Sequence, residues 1–107
     1  MIREVIFFEL KLGPETDRFR ELFRKVLSIM EAAGVEPGSV WTNVNGTGRY
    51  FIVEREFASL AQYEQDDAAF HGDKELMTTW RQMEECLISM RVDLWKQLRP
   101  RPGPVAE

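Results

Sequence analysis

The chain has 107 residues, 44% of them hydrophobic and 30% charged, with a formal net charge of -4; one domain with one core suits this length, since domains usually run to about 100 to 150 residues. These proportions belong to a globular protein and exclude a disordered chain. The acidic balance, with a pI near 5.1, argues against a nucleic-acid partner, because gripping a phosphate backbone takes clustered Lys and Arg.

Residues Ile2 to Lys11 are rich in β-branched and aromatic types and close on Gly13-Pro14, which predicts a first strand. From Thr16 to Ala33, Phe19, Leu22, Phe23, Val26, Leu27, Met30 and Ala33 recur at three- and four-residue steps, so a helix with one apolar face is expected. Gly34 is its expected stop, and Glu36-Pro37-Gly38 reads as a turn. Ser39 to Val44 and Arg49 to Phe57 form two strand-like runs joined by Asn45-Gly46-Thr47-Gly48, a loop suited to a hairpin. Ser59 followed by Gln62 has the form of a capping box opening a second helix. That helix is predicted to break at His71-Gly72, with Asp73 capping a new piece that carries Leu76, Trp80, Met83 and Leu87 on one stripe. From Ile88 the period changes to two, with Ile88, Met90, Val92 and Leu94 alternating with Ser89, Arg91, Asp93 and Trp95, which predicts a fourth strand. Residues 99–107 hold three prolines and a glycine and read as a disordered tail.

The longest unbroken apolar run is Val5 to Phe8, far short of the roughly 20 residues that cross a bilayer, so no membrane association is expected. Met1-Ile2-Arg3-Glu4 does not have the form of a secretory leader, which makes the cytoplasm the expected location. The single Cys86 has no internal disulfide partner and reads as a buried or half-buried structural thiol.

The element order β-α-β-β-α-β predicts an α+β, ferredoxin-like domain over residues 1–98, with a four-stranded antiparallel sheet. Helices cover one face of such a sheet, so the other should be polar. The strands do not alternate that way. Ile2, Ile6, Phe8 and Leu10 lie on one side of the first strand while Val5 and Phe7 lie on the other; Tyr50 and Ile52 oppose Phe51, Val53 and Phe57; Trp95 opposes the Ile88 to Leu94 row. An exposed apolar patch of that extent marks an interface, and self-pairing about a two-fold axis is the commonest solution. A homodimer packed sheet on sheet is therefore expected. Glu4, Glu9, Glu54, Arg55, Arg91 and Asp93 would then be partly enclosed between subunits, where each must find a partner or face a cavity.

Several strings resemble the NIPSNAP family within the dimeric α+β barrel superfamily. Met1-Ile2-Arg3-Glu4-Val5 running into Leu10-Lys11-Leu12-Gly13-Pro14 is similar to its first strand and turn. Val40-Trp41 resembles its second strand, Phe57-Ala58-Ser59-Leu60-Ala61 its strand-to-helix junction, and Asp73 to Trp80 its second helical segment. The resemblance implies a dimeric α+β barrel and leaves activity open. The superfamily also holds antibiotic-biosynthesis-type monooxygenases, haem-degrading enzymes and stress-responsive proteins. The haem-degrading branch generally carries an asparagine in its first strand and a histidine late on its second helix; here the first strand has no asparagine and His71 lies near the middle of the helical region, which counts against haem.

No residue cluster in the sequence demands one chemistry. His71 is the only histidine; a lone imidazole is able to ligate haem iron or act as a base, and beside Gly72 and Asp73 it also reads as a solvated helix end. One His and one distant Cys do not make a zinc-type site, so neither a metal nor a cofactor is expected. Trp41, Asn43, Tyr50, Glu54, Arg91 and Trp95, with His71, are the candidate ligand-binding residues, because aromatic walls with a few polar groups suit a flat organic molecule. The competing reading makes the aromatics core or interface anchors and Glu54 with Arg91 a cross-strand ion pair. The expected function is that of a small homodimeric NIPSNAP-like protein binding a small apolar or aromatic ligand between sheet and helices. The alternatives are a cofactor-independent monooxygenase acting on an aromatic substrate, and a module that presents its helices to a protein partner.

Overall fold

The computed structural model describes residues 1–44, 46 and 48–99. Strand β1 (Ile2–Leu10) leads through Gly13 into helix α1 (Pro14–Ala32). Gly13 has φ +90°, and Pro14 opens the helix where a missing N–H costs nothing and a fixed φ is already helical. Strands β2 (Ser39–Thr42) and β3 (Tyr50–Phe57) form the expected hairpin, although Asn45 and Thr47 of its loop lie outside the described residues. Helix α2 (Leu60–Gly72) is followed by α3 (Lys74–Glu84) and strand β4 (Leu87–Lys96).

The break between α2 and α3 falls where the sequence predicts it. Ser59 Oγ accepts from the Gln62 N–H at 3.2 Å, and Gln62 Oε1 accepts from the Ala58 N–H at 2.7 Å, one residue earlier than a regular capping box. Asp73 stands in extended backbone between the two helices, and its Oδ1 accepts from the Leu76 N–H at 2.9 Å. This bond satisfies an amide that the helix start leaves free. Of the tail expected from residue 99 onward, all but Arg99 lies outside the described residues.

The four strands run antiparallel in the order β2-β3-β1-β4, the ferredoxin-like arrangement. Directly opposed residues of an antiparallel pair point to the same face, so the pairings Ile6↔Val53 and Ile6↔Val92 sort the side chains. One face carries Ile6, Phe8, Leu10 and Val53, which join Phe19, Phe23, Val26 and Met30 of α1 and Leu76 and Met83 of α3 in the core. Phe8 anchors this layer, with ring centroids 5.7 Å from Phe19 and 5.9 Å from Trp80. Cys86 is fully buried in the same cluster.

The opposite face carries Val5, Phe7, Trp41, Tyr50, Ile52 and Trp95 and has no helix over it. Trp41 and Trp95 are 58% and 56% exposed. Its charges are largely matched among themselves: Arg3 bonds Glu56 at 2.6 Å, Arg91 bonds Asp93 at 3.2 Å, and the Arg91 guanidinium lies 4.3 Å from the Phe7 ring centre. The two-sided apolar character read from the sequence is therefore present.

Three expectations need correction. Leu87, expected on the stripe of the second helical piece, opens β4 opposite Leu10, because α3 already ends at Glu84. Glu4 and Arg55 do not stand on the open face; they point toward the helices, in the rows of Ile6 and Val53. Glu54 and Arg91 make no cross-strand pair, because β1 lies between their strands and Arg91 turns to Asp93 instead.

A candidate ligand cleft between sheet and helices

The helices cover β1 and β3 but do not reach fully across β4. Met90, Val92 and Leu94 point to the helix side yet remain 38–48% exposed. Beside them a cleft of about 340 Å³ opens between the sheet and all three helices. Its walls are mainly apolar: Ile6 and Val53 from the sheet, Val26 and Met30 from α1, Phe70 from α2, and Trp80 from α3. Phe70 and Trp80 meet edge to face with centroids 5.2 Å apart, which fixes both rings as one wall.

The floor is charged. Glu4 and Arg55 are only 4% and 3% exposed and sit opposite one another in the β1–β3 register. Arg55 Nε donates to Glu4 Oε1 at 2.7 Å, and its Nη1 donates to Asp66 Oδ1 at 2.6 Å and to the Glu36 carbonyl at 3.1 Å. Asp66 Oδ2 in turn accepts from the Glu36 N–H at 2.8 Å. The arrangement ties α2, which buries no residue fully, to the sheet and to the loop after α1.

Burial works against the charge on Arg55, but the hydrogen bond and charge of Glu4 and the charge of Asp66 outweigh it and raise the guanidinium pKa. Tyr63, also on the cleft wall, is pushed up to about 12, first by burial and then by the Glu4 carboxylate and its hydrogen bond. Its hydroxyl therefore keeps its proton. At the rim stand Asp67, His71, Arg81 and Glu84. The His71 ring is well exposed and lies 3.3 Å from Asp67 Oδ1. Burial raises the Cys86 thiol pKa, which leaves it a protonated packing group. Among the described residues, no group of three or more His, Cys, Asp or Glu side chains is placed to hold a metal ion, and no helix is long and apolar enough to cross a membrane.

Of the seven candidate residues read from the sequence, His71 borders this cleft. Trp41, Tyr50, Glu54, Arg91 and Trp95 share the open face of the sheet, and Asn43 follows the end of β2 as an exposed residue. The candidates thus divide between two faces. The residues missed are Glu4, Arg55, Tyr63 and Asp66. A signal for the first two exists, since each interrupts an otherwise apolar alternate row, Ile2-Glu4-Ile6-Phe8 and Phe51-Val53-Arg55-Phe57.

No protein-family model and no curated protein matches the sequence. Solved structures match well. A NIPSNAP domain protein from Burkholderia xenovorans superposes with a TM-score of 0.75 at 13% identity, covering 96% of this chain and 100% of that one. A NIPSNAP family protein from Agrobacterium tumefaciens gives 0.72 at 14% identity over 89% and 90% of the two chains. A candidate antibiotic biosynthesis monooxygenase from Nitrosomonas europaea gives 0.72 at 12% identity over 92% and 100%. This chain shares the ferredoxin-like α+β fold of these NIPSNAP and monooxygenase-type proteins.

Proposed function

We propose that the protein is a homodimer, paired through its open sheet faces, in which each chain binds a small flat apolar molecule in the cleft between sheet and helices. The observation that carries the binding reading is the cleft itself: a mainly apolar cavity of about 340 Å³ within the size range of small-molecule sites, with a few polar groups at its floor and rim. The dimer is supported by the exposed Trp41, Tyr50 and Trp95, which share the helix-free face with Phe7 and Ile52, a patch that a second copy can cover with the same surface.

Monooxygenase chemistry, suggested by the description of the Nitrosomonas europaea protein, has less support. Removing a proton from a phenolic substrate calls for a base active near neutral pH. Tyr63 holds its own proton to about pH 12, Glu4 is bonded to the Arg55 guanidinium, and His71 stands at the exposed rim paired with Asp67.

The binding reading is tested with Nile red, an uncharged dye whose emission rises in apolar surroundings. Saturable binding of one dye per chain is expected. Val92→Trp should abolish it, because Val92 borders the cleft from its open side and a larger ring there fills the cavity without entering the packed core. Undiminished dye binding by a folded Val92→Trp variant, or no binding by the wild type, defeats the reading.

A further inference from the structure

We propose, resting on that binding reading, that the cleft selects organic cations: molecules with an apolar, preferably aromatic body and a protonated amine, taken in preference to carboxylates of the same shape. Negative charges outnumber positive ones around this partly aromatic cavity. On the floor, the single positive charge of Arg55 is shared among Glu4, which lines the cleft, the Asp66 carboxylate, which lies outside its lining, and the Glu36 carbonyl. This buried group therefore carries one surplus negative charge. At the rim, Asp67 and Glu84 outnumber Arg81, and His71, which adds a positive charge only when protonated, stands 3.3 Å from Asp67, so the entrance has the same sign whenever that ring is neutral.

A carboxylate entering this space loses its hydration and meets like charge, and Nε and Nη1 of the one buried guanidinium are already engaged by Glu4, Asp66 and the Glu36 carbonyl. An ammonium group meets the opposite balance. It offsets the surplus charge of the floor in a cleft lined by Tyr63 and Trp80, and aromatic rings attract cations through their negative faces. Water-excluding walls strengthen both effects, since charges interact more strongly where the local dielectric is low.

The test is displacement of Nile red by three molecules of one shape: naphthylmethylamine, naphthylmethanol and naphthoate, near neutral pH. The expected order of affinity is amine, alcohol, acid, with the amine at least about tenfold tighter than the acid, equivalent to about 1.4 kcal/mol. Glu84→Gln, on the exposed surface of α3, should narrow the gap without threatening the fold. Glu4→Gln should narrow it further. Equal or tighter binding of naphthoate by a protein that does bind Nile red overturns the charge selection and leaves the cleft reading standing. Failure of the dye itself to bind overturns both.

Discussion

Arg55→Leu should be among the most damaging single substitutions in this chain, and the reason is burial rather than bond length. The Arg55–Asp66 and Arg3–Glu56 pairs are both 2.6 Å long. Judged by distance they are equals. The Arg3 and Glu56 side chains are about half exposed, however, and pairs in water contribute no more than about 1 kcal/mol. Removing Arg55 instead strands two carboxylates with little access to solvent and deletes three hydrogen bonds. Breaking a buried pair from one side costs about 3–5 kcal/mol, a large share of the roughly 5–15 kcal/mol that holds a domain together. Urea unfolding of wild type, Arg55→Leu and Arg3→Leu, followed by circular dichroism at one protein concentration, measures the difference. The triple change Glu4→Leu, Arg55→Met, Asp66→Leu should recover most of the loss, because it removes the stranded charges along with their partner. Amide exchange should rise first in α2, whose tether to the sheet is Asp66. If Arg55→Leu costs no more than Arg3→Leu, the description of the cleft floor as a closed charged network is wrong.

Three further outcomes are expected. Gly38→Ala should destabilise by about 1–3 kcal/mol, since Gly38 has φ +78° and an added Cβ would press on the Glu54 carbonyl and lie 2.7 Å from Arg55 Cγ; urea unfolding reads the loss, and an unchanged midpoint contradicts it. Tyr63 has its pKa raised from 10.0 to about 12 in the folded chain, so the native state holds a proton that the unfolded state releases. Stability from this source is complete below about pH 10 and should fall as pH climbs toward 12, a slope that Tyr63→Phe should flatten in melting curves taken across that range. Cys86 is fully buried with a raised pKa, so a disulfide reagent should label it only on unfolding; labelling of the native protein at the rate of a free thiol contradicts its placement in the core.

The sequence announces the fold more clearly than the site, and particular residues explain the difference. Strand and helix limits follow local chemistry: Gly13-Pro14 starts α1, Ser59 and Asp73 cap α2 and α3, and the two-residue period from Ile88 marks β4. Each signal lies within a few positions along the chain. The cleft floor instead joins residue 4 to residues 55, 63 and 66, and only the β1–β3 register brings Glu4 opposite Arg55. Aromatic character singles out Trp41, Tyr50 and Trp95 in the sequence, yet strand parity puts all three on the face opposite the cleft. Trp80 supports both roles, packing on Phe8 in the core and on Phe70 in the cleft wall. A helical stripe of apolar residues does not distinguish those two surroundings.

The sheet is apolar on both sides and has helices over only one. Sedimentation equilibrium over a wide concentration range tests this most directly, alongside a Trp41→Glu, Trp95→Glu double variant that charges the open face and leaves the helix side untouched. The predicted result is twice the mass of one chain for the wild type and a single folded chain for the variant. A wild-type protein that stays a single chain at the highest concentration, or a double variant that pairs as tightly as the wild type, would contradict it.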